Sequence, residues 1–206
     1  QLKMEFGTRF GEVAHCLYPD AVLIDINIRK LKQAEEDTRK AIEEGADVIL
    51  EATFRHEQCR VLSDIVEKQT DGTWHLIEVK SSTEVKDEHS PDLAFQKWVM
   101  EQCGYPVSKC SVVFADKAGI WPDTKSIFQY EDVTDRVELA AKLVPEQLAP
   151  MLEIANSRGK RPAFEDWISK ECHDCEFKKT VCWTDIGEPT IYDIIDKRKI
   201  DRKSVV

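Results

Sequence analysis

Apolar and polar positions over most of the chain follow two periods, one typical of helices and one typical of strands. Helices are predicted at residues 4–17, 30–44, 90–103 and 137–156, and strands at residues 21–26, 47–54, 60–68, 74–81 and 107–114. Gly45 and Gly104 follow two of the helices, where glycine favours a helix end. Asp71 and Gly72 form a turn signal that predicts an antiparallel hairpin. The central order of helix, three strands, helix and strand predicts a layered α/β or α+β domain.

The chain is expected to comprise two parts, residues 1–157 with the sheet and residues 158–206 packing on it. The second part changes in character, since it contains a cluster of cysteines and a basic end. Pro145 lies inside the predicted helix 137–156 and is expected to interrupt it.

One predicted strand, residues 74–81, contains two charges within an apolar run. Glu78 and Lys80 stand two residues apart, so their side chains are expected on one face of the sheet. The predicted hairpin places Asp64 of the preceding strand beside them. Because buried charges are costly unless they are paired or bind a cation, this face indicates a metal or catalytic site. The alternative is a half-exposed strand with ordinary surface charges, since such triplets are common.

The chemistry of these side chains favours a hard cation. Two carboxylates with a backbone carbonyl, here that of Val79, suit Mg²⁺ or Mn²⁺. A neighbouring lysine can orient a water molecule or stabilise developing negative charge. Glu51, on the first of the three strands, either faces this site or is a charged edge residue.

Composition argues against an ordinary nucleic-acid binder. The 206 residues have a formal net charge of -10, with 29 Lys and Arg against 39 Asp and Glu. A strongly acidic protein binds polyanions poorly, so a nucleic-acid function needs bound cations or a local basic path. No apolar run approaches the ~20 residues that span a bilayer, and no signal-peptide pattern opens the chain. A cytoplasmic protein without membrane association is expected.

Seven cysteines fall into two groups. Four are scattered through apolar stretches and are expected to be small buried hydrophobic residues: Cys16, Cys59, Cys103 and Cys110. Cys172, Cys175 and Cys182 form a C-x2-C-x6-C pattern, which lets three thiolates converge on one metal ion or cluster. Zinc and a four-iron cluster would each need a fourth ligand.

The chain resembles the PD-(D/E)XK nuclease superfamily, specifically its RecB-like branch with C-terminal iron–sulfur cysteines. That branch includes the CRISPR-adaptation exonucleases and the helicase-linked nucleases, and the chain is most similar to a bacterial family close to the former. The resemblance rests on a helical glycine and histidine, a strand aspartate, the third-strand triplet and a glutamine of the next helix: Gly11, His15, Asp64, Glu78-Val79-Lys80 and Gln96.

The resemblance implies a restriction-endonuclease-like core with added helices and metal-dependent hydrolysis of DNA phosphodiester bonds, with single strands or DNA ends as substrate. The implied ligands of Mg²⁺ or Mn²⁺ are His15, Asp64, Glu78 and the carbonyl of Val79. Lys80 is implied to position water or stabilise charge, with Gln96 holding Lys80 or the nucleophile. Glu51 is a further candidate for ordering metal or water.

The resemblance also implies a 4Fe–4S cluster held by Cys172, Cys175 and Cys182, with a fourth cysteine before the histidine motif. Residues 1–14 contain no cysteine. The fourth ligand is therefore expected upstream of Gln1, which would leave the cluster incomplete in residues 1–206, with Cys16 as the alternative ligand and zinc as the alternative metal. Two other classes of function stay open: a catalytically idle DNA-binding module, and a structural zinc-binding module of a larger protein.

Overall fold

The computed structural model describes residues 2–120, 122–157, 175–177 and 180. The helices are α1 (Leu2–His15), α2 (Leu31–Glu43), α3 (His89–Gln102), α4 (Thr134–Ala141) and α5 (Val144–Asn156), and a 3-10 turn covers Ile28–Lys30. The strands are β1 (Val22–Leu23), β2 (Val48–His56), β3 (Cys59–Lys68), β4 (Trp74–Lys80), β5 (Val107–Ala115) and β6 (Phe128–Asp132). None of the helices in these described ranges is long and apolar enough to cross a membrane.

Backbone contacts divide the chain into two compact units, residues 1–151 and residues 152–206. The first unit contains the sheet. Most of the predicted C-terminal segment, residues 158–206, lies outside the described residues.

The strands of the described region form one mixed sheet in the order β1-β2-β3-β4-β5-β6. β1 pairs with β2, and β4 with β5, in parallel, whereas the other neighbours are antiparallel. α3 supplies the crossover that a parallel β4–β5 pair requires. The mixed sheet with its helices confirms the predicted α/β class, and the restriction-endonuclease-like core stays a prediction.

β4 is covered on both faces, which explains its continuous apolar run. Leu76 packs in one core cluster with Leu93 of α3, and Ile77 packs in a second cluster with Phe10 of α1. Because consecutive strand residues point to opposite faces, α1 and α3 lie on opposite sides of the sheet. Burial of each such side chain stabilises the fold by about 1.5–3 kcal/mol.

The predicted helix ends and hairpin are confirmed. Gly45 and Gly104 have φ angles of 87° and 89° after α2 and α3, a region that glycine enters without steric cost. At the β3–β4 turn Gly72 has φ 84°. The Asp71 carboxylate accepts hydrogen bonds there from the backbone N–H and the hydroxyl of Thr73.

Two predicted elements are wrong, and one strand was not predicted. The predicted strand at residues 21–26 is only two residues long, β1. No strand is predicted at β6, because only Phe128 of its five residues is buried and it lacks an alternating apolar pattern. The helix predicted at residues 137–156 is two helices, α4 and α5. Pro145 is the second residue of α5, where its missing N–H has no helical partner to lose.

A buried polar network crosses three strands near the hairpin turn. His75 Nδ1 lies 3.3 Å from Glu67 Oε2, and His75 Nε2 lies 2.9 Å from Ser111 Oγ. Burial, with the charge of Lys109, lowers the pKa of His75, although Glu67 and Asp132 act in the opposite direction. The folded state therefore favours the neutral imidazole.

His75→Gln is expected to reduce the acid sensitivity of folding. A histidine whose pKa is lowered in the folded state stabilises the fold above its unfolded pKa of about 6.5, and this stability is lost as pH falls through the lowered value. Glutamine does not titrate, so the free energy of unfolding should fall less steeply below about pH 6.5. Urea unfolding at a series of pH values measures this slope. His56→Gln is the control, and equal slopes for parent and His75→Gln would contradict the prediction.

Candidate functional site

The site begins where β3 and β4 separate. The last paired residues of the β3–β4 ladder are Ile65 and Ile77. Beyond them the backbone N–H of Val79 donates to Asp64 Oδ2 at 2.6 Å. The Asp64 carboxylate thus takes the position that a strand carbonyl would occupy, and this contact fixes Asp64 beside the end of β4.

Glu78 is the buried centre of the site. Its side chain is on the same face as that of Lys80, whose Nζ lies 2.6 Å from Glu78 Oε1. Gln96 of α3 donates from Nε2 to Glu78 Oε2 at 2.7 Å. Glu78 and Gln96 are only 6% and 4% exposed. Both carboxylate oxygens are therefore hydrogen-bonded, and the contact of Gln96 is with Glu78, not with Lys80.

Asp92, which is not a predicted site residue, joins the site from α3. Its Oδ2 lies 3.1 Å from Lys80 Nζ. By sequence it is only an acidic residue in the first turn of a helix, favourable for the helix dipole. The available signal was its spacing of four residues from Gln96, which puts both residues on one helix face.

His15 and Glu51 meet at the edge of the site. His15 Nε2, at the end of α1, lies 3.3 Å from Glu51 Oε1. Glu51 has φ 58° in the middle of β2, a left-handed conformation that costs a non-glycine residue about 1–3 kcal/mol. The β2–β3 ladder pairs Leu50 and Ala52 but leaves out Glu51 and Asp64. This break puts two acidic residues opposite each other without regular strand pairing.

The acidic side chains repel one another. Burial raises the pKa of the Asp64 carboxyl well above its usual range, and the charges of Glu78 and Glu51 add to this. Burial also raises the pKa of Glu78, although Lys80 and Gln96 oppose it. For Lys80, burial acts to lower the pKa, but the carboxylates of Glu78 and Asp92 outweigh it and raise the pKa overall.

The donor atoms suit a hard divalent cation. Carboxylates outnumber basic groups in the site, and Mg²⁺ and Mn²⁺ prefer oxygen ligands. Gln96 Oε1 is a buried acceptor without a hydrogen-bond partner in the structure. Asp64 and Glu78 are the residues that would hold the cation. Among the described residues, however, no group of three or more His, Cys, Asp or Glu side chains is arranged to hold a metal ion. Binding therefore requires Glu78 to share oxygens already bonded to Lys80 and Gln96.

Most of the predicted cysteine cluster lies outside the described residues. This holds for Cys172 and Cys182, while Cys175 is exposed and is not in a disulfide. Cys16, the alternative fourth ligand, is exposed after the end of α1. The iron–sulfur or zinc site stays a prediction.

No protein-family model matches the chain, and comparison with curated proteins gives no match.

Proposed function

We propose that the chain is a metal-dependent deoxyribonuclease that hydrolyses phosphodiester bonds, with single-stranded DNA or DNA ends as substrate. The observation that supports this best is the meeting of Asp64, Glu78 and Lys80 at the open end of β3 and β4. A buried Glu78 carboxylate next to the half-buried Asp64 and an ammonium group is costly to maintain for structure alone. Clusters of this kind, with pKa values shifted by burial and by neighbouring charges, are typical of functional sites.

The side chains have separate roles in the proposed hydrolysis. Asp64 and Glu78 would hold Mg²⁺ or Mn²⁺, and the bound cation would supply a Lewis acid to the phosphate and favour ionisation of water. Gln96 keeps Glu78 in place through its amide N–H. The ammonium of Lys80 orients the attacking water or stabilises negative charge that develops on the phosphate. Water adds to phosphorus and the bond to one ester oxygen breaks, which leaves one phosphate end and one hydroxyl end.

A bound cation would also reduce the electrostatic repulsion between this acidic protein and DNA. A chain with a formal charge of -10 repels DNA. A cation held by Asp64 and Glu78 would offset the two negative charges of these carboxylates where the phosphate has to sit. Attraction of the substrate is therefore expected to depend on the cation as much as the chemistry does.

The test is a cleavage assay with end-labelled single- and double-stranded DNA, in Mg²⁺, in Mn²⁺ and in chelator. The expected result is cleavage that requires the cation and is faster on single strands or ends. Cation-independent cleavage would indicate a contaminating nuclease, and no cleavage of any substrate would refute the proposed activity.

A non-catalytic role is the second candidate, either in DNA binding or as a zinc-containing structural module. It is favoured by the hydrogen bonds that already occupy both oxygens of Glu78 and by the lack of a preformed three-ligand group among the described residues. DNA binding without cleavage in the assay above would select this candidate.

The C-terminal cysteines are expected to bind a metal in the cytoplasmic protein. Anaerobic purification followed by iron and zinc analysis should give iron near four equivalents if Cys16 completes the cluster, or about one zinc for the alternative metal. Occupancy should be lower if the fourth ligand lies upstream of Gln1. Cys175→Ser should lose that metal and lower Tm, because metal binding contributes to the folding energy of such a segment. Lys80→Ala is the control, since it should retain the metal. A Cys175→Ser protein as stable as the parent would contradict the prediction.

A further inference from the structure

Lys80 is shared between two carboxylates in different environments. Its Nζ lies 2.6 Å from Glu78 Oε1 and 3.1 Å from Asp92 Oδ2. Glu78 belongs to β4 and is 6% exposed, whereas the Asp92 side chain, on α3, is 48% exposed. The ammonium thus has one buried partner and one partner at the surface.

Glu78 and Asp92 differ in their other interactions. Glu78 is a ligand in the proposed site, and its Oε2 is already held by Gln96. A cation at Glu78 therefore competes with Lys80 for Oε1, because two positive charges at one carboxylate repel each other. Among the described residues, the hydrogen bond and ion pair of the Asp92 carboxylate are both with Lys80.

We propose that Asp92 is a positioning residue, which retains the Lys80 ammonium at the site when the Glu78 carboxylate binds a divalent cation. The inference rests on the proposed function, because it assigns Lys80 and the cation to the same reaction. Without Asp92, the ion pair of Lys80 that remains among the described residues is with Glu78. Lys80 then either stays on the Glu78 carboxylate and weakens cation binding, or leaves and is no longer placed for the reaction.

An acidic residue near the start of α3 does not by itself contact Lys80. Glu88, at the start of the same helix, is also acidic and close to the helix N-terminus, yet it lies 3.7 Å from Lys86 and its side chain is 74% exposed. Glu88→Gln removes the same charge from the same helix end without touching Lys80. It is therefore the matched control for an effect of net charge or helix dipole.

The experiment compares the parent with Asp92→Asn, Asp92→Glu and Glu88→Gln. Mn²⁺ binding is followed by electron paramagnetic resonance without DNA, cleavage is followed over a range of DNA concentrations, and thermal melts check folding. Asp92→Asn should raise the half-saturating Mn²⁺ concentration about threefold to fivefold, the scale of one surface ion pair. It should lower kcat about tenfold through misplacement of Lys80, without raising KM. Asp92→Glu should return both values toward the parent, and Glu88→Gln should match the parent within about twofold.

The readouts separate this inference from the proposed activity. Weaker Mn²⁺ binding in Asp92→Asn, but not in Glu88→Gln, supports the inference even if no DNA substrate is cut. Normal binding and kcat in a folded Asp92→Asn would overturn it while leaving the nuclease proposal intact. Equal losses in Asp92→Asn and Glu88→Gln would also overturn it, in favour of a general charge effect. A parent protein that binds no Mn²⁺ would overturn both proposals.

Discussion

Lys80→Ala is expected to lower the rate of DNA cleavage by about 10²–10³-fold, the usual effect of removing one group that stabilises transition-state charge. The reason is the position of its ammonium group, which is held at the end of β4 by Glu78 and Asp92. DNA binding and the overall fold should be largely retained, since the variant removes charge and not core packing. Single-turnover cleavage and a separate DNA-binding measurement distinguish the two effects.

Two controls accompany Lys80→Ala. Lys68→Ala removes an exposed lysine at the far end of β3 and should leave cleavage unchanged. Lys80→Arg keeps the charge but replaces a compact ammonium with a planar guanidinium, so only partial activity is expected. Normal turnover in a folded Lys80→Ala protein would show that Lys80 has no part in the chemistry.

Asp64→Asn is expected to abolish cleavage and, at the same time, to stabilise the protein at neutral pH in the presence of chelator. Asparagine keeps an oxygen that can accept the Val79 N–H, but it removes a charge that burial and the neighbouring Glu78 and Glu51 disfavour. An increase of about 1 kcal/mol in the free energy of unfolding would raise Tm by roughly 2–4 °C for a chain of this size. Scanning calorimetry in chelator measures it.

The pH dependence gives Asp64→Asn a second test. A carboxyl whose folded pKa is raised stabilises the fold below its ordinary pKa, and this contribution is lost as pH rises through the raised value. The free energy of unfolding of Asp64→Asn should therefore increase relative to that of the parent as pH rises from about 4, the usual pKa of aspartate. The charge of Lys80 acts to lower the pKa of Asp64, so it limits this gain in stability. Asp87→Asn, at an exposed position, is the control. A destabilised Asp64→Asn at pH 7 would show that the Asp64 charge stabilises the fold.

Elements with strong local signals were predictable from the chain. The apolar run of β4 and the period of two along a strand predicted that Glu78 and Lys80 share a face, and their 2.6 Å contact agrees. The helix ends at Gly45 and Gly104 followed from a backbone conformation that glycine adopts freely. β6 was missed because an edge strand with one buried residue has almost no apolar pattern.

The sequence by itself determined the chemistry available at the end of β4, namely carboxylates, a lysine and a glutamine at positions set by strand and helix periods. Only the tertiary structure decided how they are connected. The contact of Asp92 with Lys80 joins α3 to β4, and the contact of His15 with Glu51 joins α1 to β2. Such contacts depend on how separate elements pack, and the left-handed backbone of Glu51 is held by its surroundings against its own preference. Local periodicity contains no information about these contacts or about the backbone conformation of Glu51.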